Sequence, residues 1–200
     1  MTDSKVDPSR RRFLTNLTTG IGAVGVVFAA TPFVLSMNPS ARAKAAGAPV
    51  EIDISKLEPG QMLTVEWRGK PVWILDRTPE MLAKMAAETA RLSDPGSDVP
   101  QQPEYAKNDT RSIKPKILVL VGICTHLGCA PKEKFEIGAE PDILGNDWPG
   151  GFFCPCHGSK FDLAGRVYKG VPAPTNLEVP PHQFLTDTRI QIGADAKGEA

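Results

Sequence analysis

Polar and apolar positions divide this chain into two unlike parts. From Phe13 to Ala41 no residue carries a charge, and within that window Leu17 to Met37 reads LTTGIGAVGVVFAATPFVLSM. About 20 residues of helix cross a bilayer core. A soluble amphipathic helix would show a polar face every few positions, and this stretch offers only Thr and Ser. The pattern predicts a transmembrane anchor over 13–37, kinked at Pro32, a residue membrane helices tolerate. Beyond it the period shortens. VEIDIS (50–55), QMLTVEW (61–67) and PVWILD (71–76) alternate β-branched and aromatic residues between PG and RGK turn signals, which predicts strands. TPEMLAKMAAETARL (78–92) predicts a short helix with Thr78 as N-cap and Pro79 at its first position. Glu80, Lys84 and Glu88 are spaced for an i, i+4 charge ladder on its wet side. Residues 93–115 are polar and proline-rich, hence loop. KILVLVG (116–122) predicts a buried strand, and RVYKG (166–170), HQFLTD (182–187) and RIQIG (189–193) are strand-like. One helix among many short strands predicts a mostly-β sandwich or barrel over 50–200. The small-residue segment NPSARAKAAGAP (38–49) predicts a hinge linker between anchor and domain.

The flank of the apolar run adds an address. SRRRFL, Ser9 to Leu14, matches the twin-arginine export pattern with Arg10 and Arg11 as the pair. Residues 1–12 then form a cytoplasmic segment, and the positive-inside rule assigns the same orientation. Ala41-Arg42-Ala43 resembles a signal-peptidase site, but the apolar run is long for a cleavable signal, so an uncleaved anchor is expected. The twin-arginine route exports folded proteins, which suits a chain that must receive a cofactor first. Lys plus Arg and Asp plus Glu number 23 each, so the formal charge is zero. That argues against a nucleic-acid binder, which would carry a basic stripe. An apolar content of 41% allows a buried core.

The chain holds 4 cysteines and 3 histidines. All of the cysteines and two of the histidines sit in CTHLGC (124–129) and CPCHGSKFD (154–162). Four cysteines are too few for a disulfide scaffold of this length, and their clustering with histidine points to metal. Cys124-x-His126 and Cys154-x-x-His157 would each let one tight loop offer a thiolate and an imidazole to one centre. Zinc accepts such a set. So does an iron–sulfur cluster in which two histidines replace two cysteines on one iron.

These two loops resemble the signature loops of the Rieske iron–sulfur subunits of bacterial ubiquinol–cytochrome c reductases, the complex III type. The likeness extends to the anchor, the linker, the strands before the first loop and the GVPAP segment after the second. The resemblance implies an antiparallel Rieske β-sandwich with a small cluster-binding subdomain at about 122–175 and one short helix. It implies one [2Fe-2S] cluster, with Cys124 and Cys154 on the inner iron and His126 and His157 on the outer. Cys129 and Cys156 would form a disulfide. Ser159 would donate a hydrogen bond to a cluster sulfide. Many family members carry a tyrosine where this chain has Phe161, so a lower potential is expected here. Leu127 and Gly128 would dock against a quinol pocket, and Gly170 to Pro174 would shield the cluster, with Val171 as an added residue.

The implied function is electron transfer. An electron and a proton would come from ubiquinol, the proton through His126 or His157, and the electron would pass to a cytochrome c-type haem, contributing to proton translocation. Imidazole in place of thiolate raises the potential from about −400 mV towards positive values, as a quinol acceptor needs. Oxidised iron lowers, and reduction raises, the pKa of the second ring nitrogen, which couples proton to electron. The implied partners are cytochrome b and cytochrome c1-type subunits in a dimeric complex. The implied location is the bacterial inner membrane, single-pass, with the soluble domain on the periplasmic side. The Rieske subunit of another exported oxidoreductase, such as arsenite oxidase, is the alternative. A ring-oxygenase component would need a second iron with two histidines and a carboxylate, and only His182 remains. A zinc-stabilised binding module is the last competitor. His182 is expected as a surface or core histidine rather than a ligand, and Trp148 is expected to pack.

Overall fold

The computed structural model describes residues 7–195. The chain divides into two compact units between Ala45 and Ala46, inside the expected linker. The first half of the expected segment 1–12 and the end of the expected domain 50–200 lie outside the described residues.

The first unit is built on helix α1, Pro8–Ser36, so helix begins earlier than the apolar run and includes Arg10 and Arg11 in its first turns. Asp7 caps it by accepting from the Ser9 N–H at 2.9 Å, and Pro8, which has no N–H to satisfy, takes the first position. At 1.5 Å per residue its length is about 43 Å, enough to cross a membrane by length and composition. Its hydroxyls fold back onto the helix: Thr18 Oγ1 donates to Leu14 O at 2.8 Å and Thr31 Oγ1 to Val27 O at 2.7 Å. That hides polarity an apolar solvent would penalise. The helix runs through Pro32 to Ser36. The linker is not plain coil: α2 spans Ala41–Ala46, with Ser40 Oγ accepting from Ala43 N.

The second unit contains three antiparallel three-stranded sheets. Strands β1 (Val50–Asp53), β2 (Met62–Trp67), β3 (Lys70–Asp76) and β4 (Ile117–Val121) come first. Then follow β5 (Lys132–Lys134), β6 (Gly151–Phe153), β7 (Lys160–Phe161), β8 (His182–Thr186) and β9 (Arg189–Ile192). The sheets are ordered β1-β9-β8, β2-β3-β4 and β5-β6-β7.

Side-chain alternation on the middle sheet explains how they pack. Val72 pairs with Val121 and Ile74 with Val119, and these four join Ile52, Ile190 and Ile192 in the core against the β1-β9-β8 sheet. Trp73 pairs with Leu120 and Leu75 with Leu118, and these point the other way, into a core shared with Cys124, Phe152, Cys154 and Phe161. Both faces of β3 and β4 are therefore buried, which is why their sequences read as unbroken apolar runs. The first interface is the expected sandwich. The second carries the two cysteine loops.

Several expectations need correction. Helix α3 (Pro79–Ala87) is capped by Thr78 Oγ1, which accepts from Met81 N, but it stops at Ala87 and a 3-10 turn, Thr89–Arg91, follows. Among the described residues Lys84 forms no ion pair with Glu80 or Glu88. Glu88 instead meets Arg91 at 3.1 Å and accepts from Tyr168 OH at 3.1 Å. The stretch 166–170 is not a strand. Its donors are spent elsewhere: Arg166 N bonds the Asp162 carboxylate and Val167 N the Asn176 side chain. Only isolated bridges remain, Phe161 to Val167 and Leu92 to Tyr168. The helix count was also too low, because a short α4 (Pro141–Leu144) and a second 3-10 turn, Glu104–Ala106, are present. Strands β5, β6 and β7 were missed. At two or three residues each they are too short to show a period.

Candidate metal centre

Each cysteine loop is the continuation of a buried strand. β4 runs through Gly122 and Ile123 into Cys124. Only glycine fits at 122, since a Cβ there would lie 2.3 Å from the Trp73 ring. β6 runs directly into Cys154.

The two loops then close in the same way. Cys124 N donates to Cys129 O at 2.8 Å and Gly128 N to Cys124 O at 3.0 Å. Cys154 N donates to Ser159 O at 2.8 Å and Gly158 N to Cys154 O at 3.0 Å. Gly128 and Gly158 hold φ of +83° and +80°, a left-handed conformation that costs a side-chain-bearing residue free energy.

These turns bring together what the sequence separates by thirty residues. Cys124 and Cys154 are free and buried, each 2% exposed. Burial pushes the Cys154 thiol up, and the adjoining Cys124 sulfur adds to the effect, while the Cys156 and His157 N–H groups pull it down. The imidazoles of His126 and His157 stand edge-on with centroids 4.8 Å apart. His126 Nδ1 is shielded from solvent and has no hydrogen-bond partner. A buried polar atom without a partner is costly, so this nitrogen is suited to a metal bond. Cys129 and Cys156 form a disulfide that staples loop to loop. The sulfurs of Cys129, Cys154 and Cys156 lie within 4.8 Å of one another. That trio is not a metal-binding set, because its two bonded sulfurs have no thiolate to give. Two thiols and two imidazoles remain, and this donor set could hold a cluster with sulfur on one side and nitrogen on the other.

The segment after the loops straps both of them. Ser159 is fully buried and its Oγ accepts from Ala173 N at 3.0 Å, which leaves its own proton free to donate. Thr125 Oγ1 donates to Thr175 O at 2.7 Å. Ala173 is buried, and Val171 packs on the core's edge. Leu127 is 72% exposed, and Gly128 and His157 are also exposed, whereas His126 is half-buried. Beneath the loops, Phe152 stacks on Trp73 at 5.0 Å, and Phe161 is fully buried.

Sequence reasoning missed Thr125 and the buried cations. Arg77 donates to Pro115 O, Thr110 O, Leu163 O and Ser112 Oγ. Arg111 donates to Ala164 O, Leu177 O and Gln102 Oε1. Arg166 pairs with Asp162 at 2.7 Å. Burial lowers both Arg77 and Arg111 to about 10, so they stay charged at neutral pH. They clamp the turn that follows the second loop through its carbonyls. No local pattern distinguishes these arginines from surface ones. As expected, Trp148 packs, with Nε1 donating to Lys134 O. His182 is buried, with Nδ1 2.8 Å from Pro180 O and its ring edge-on to Tyr105.

The Rieske [2Fe-2S] domain matches residues 49–181. The family described as the ubiquinol–cytochrome c reductase Fe-S subunit TAT signal matches residues 1–40. The ubiquinol–cytochrome c reductase iron–sulfur subunit of Allochromatium vinosum is 63% identical over 98% of this chain and 93% of its own length. The subunit of the same name from Blastochloris viridis is 47% identical over 94% of each chain. Among solved structures, a hyperthermophilic respiratory complex III chain is 28% identical, covering 88% of this chain and 98% of its own, with a TM-score of 0.46.

Proposed function

The chain belongs to the Rieske [2Fe-2S] family, among the iron–sulfur subunits of ubiquinol–cytochrome c reductase, and from this premise we propose how its residues serve electron transfer from quinol. Cys124 and Cys154 bind one iron of a single [2Fe-2S] cluster, and His126 and His157 bind the other. When bound, the cluster takes up and gives back one electron, at a potential that the imidazoles raise. The protein's own groups do the rest. His126 offers Nδ1, the nitrogen with no other partner. His157, the more exposed ring, presents its outer nitrogen to the quinol oxygen and holds the proton released there. Leu127 and Gly128 form the exposed apolar tip that seats against the quinol pocket of a cytochrome b-type subunit. Ser159, tied to the strap through its acceptor lone pair, turns its proton toward cluster sulfur and tunes the potential. The disulfide and the strap keep both loops in register and water away from the buried sulfurs.

The division of the chain belongs to the same proposal: a cytoplasmic segment 1–12, an anchor 13–37, a hinge 38–49 and a domain 50–200 whose loop-bearing part covers about 122–175. Arg10 and Arg11 direct export of the folded, loaded domain to the periplasmic side of the inner membrane. There it moves on the hinge between ubiquinol and a cytochrome c1-type haem, within a dimeric complex that contributes to proton translocation.

The observation that carries the assignment is the pair of imidazoles 4.8 Å apart beside two free buried thiols. Pulsed electron-paramagnetic resonance on reduced protein, grown with 15N-histidine, tests it. Two coupled histidine nitrogens are expected, and one remains in either single-histidine variant that keeps iron. A spectrum without nitrogen coupling, or an iron-free chain, overturns the assignment.

A further inference from the structure

Cys154 Sγ lies within 4.8 Å of both sulfurs of the Cys129–Cys156 disulfide. A nucleophile thus sits beside an electrophile. In the loaded chain the cluster would engage Cys154, and the inference rests on that ligand assignment. We propose that the cluster guards the disulfide, and that a chain losing its cluster undergoes internal thiol–disulfide exchange to a Cys129–Cys154 bridge with Cys156 released.

Exchange proceeds by attack of a thiolate on one disulfide sulfur, with departure of the other. Here Cys154 Sγ attacks Cys129 Sγ. The Cys129–Cys156 bond breaks, its electron pair leaves on Cys156 Sγ, and the proton lost by Cys154 ends on Cys156. One S–S bond is exchanged for another and no oxidant or reductant is consumed.

Two features set the direction. Cys156 is exposed whereas Cys154 is 2% exposed, so the departing sulfur enters water, where its charge is solvated. Attack on Cys156 instead would close a small ring across the single residue Pro155, whose fixed φ leaves the ring no freedom to relax. The new bridge captures a cluster ligand, so the exchanged chain cannot be reloaded until the bridge is reduced. Cluster loss after export is therefore irreversible in an oxidising compartment, which gives loading before export a chemical reason.

The test uses the full chain in detergent. Iron content and the reduced-state spectrum are recorded first, then the cluster is stripped with an iron chelator without thiols. Samples are alkylated with N-ethylmaleimide under denaturing conditions and the bridges are mapped by tandem mass spectrometry. In freshly denatured loaded protein the label is expected on Cys124 and Cys154. In stripped protein it is expected to move from Cys154 to Cys156, with a Cys129–Cys154 bridge, and reloading should need prior reduction. In Cys154→Ser, Cys156 should stay unlabelled. A stripped chain that keeps Cys129–Cys156, or forms Cys154–Cys156, overturns the exchange. Absence of iron at the outset overturns the ligand assignment instead, so the two failures are distinct.

Discussion

The loop 124–129 and the loop 154–159 close with the same two backbone bonds, at matching distances, around a left-handed glycine in the same place. Their side chains differ turn for turn. The first position is a buried cysteine in both. The third holds His126 in one and Cys156 in the other, the fourth Leu127 and His157, the sixth Cys129 and Ser159. The shared backbone supplies equivalent thiols. The shifted side chains supply everything unequal: one half-buried imidazole and one exposed, one apolar tip, one hydroxyl, and a staple from the sixth position of one loop to the third of the other. The proposed function rests on that asymmetry, because a symmetric pair of loops would offer no distinct face to a partner.

Substitutions can break this comparison or sharpen it. The largest effect is expected where the loops are alike. Cys124→Ser and Cys154→Ser should each abolish iron binding, measured as iron per chain, and iron retained in one would show that the first positions are not equivalent. Next comes the staple. Replacing Cys129 and Cys156 together by Ala should cost about 3 kcal/mol in urea denaturation of loaded protein, since the bridge closes a long loop. The straps come third. Ser159→Ala leaves the buried Ala173 N–H without its acceptor and should cost about 1–3 kcal/mol, with a lower potential in voltammetry. Thr125→Val removes only a donor to the part-buried Thr175 carbonyl and should cost about 1 kcal/mol. Gly128→Ala and Gly158→Ala should each cost about 1–2 kcal/mol, and equally, because no atom lies within 4 Å of the added methyl at either site. Unequal costs would mean that the loops' resemblance is superficial.

The smallest effect falls outside the loops, on the third histidine. Burial lowers His182 below its ordinary value of 6.5. The unfolded chain therefore binds more protons in that range, and His182 contributes stability that is present above 6.5 and lost as pH falls through the lowered folded value. His182→Phe should flatten that acid limb of stability, followed by thermal unfolding against pH, with no change in the cluster's spectrum. A changed spectrum would tie His182 to the centre after all.

Much of this was legible along the chain. The long apolar helix, strands β1 to β4, β8 and β9, and the cap at Thr78 follow from local periods and from single residues whose preferences act over one turn. The donor inventory at the centre was also legible, because four cysteines in two short motifs leave few other uses. The strand expected at 166–170 failed because its first two backbone donors go to the side chains of Asp162 and Asn176 and the next two to the carbonyls of Lys160 and Arg91, and a period calculated on residues cannot see that competition. Strands β5 to β7 exist only because they pair with one another.

By itself, then, the amino-acid order determined the membrane-length helix, the export address, the alternating core strands and which donor atoms are available. Only the tertiary structure decided that the two loops are backbone copies, which imidazole faces water, that two buried arginines clamp the turn after the second loop, and that Cys154 sits within reach of the disulfide. The physical reason is range. Helix and strand patterns arise from forces between neighbours. The approach of groups thirty to eighty residues apart is set by the packing of Trp73, Phe152, Leu120 and their partners, each contact weak and none of them written in any one segment.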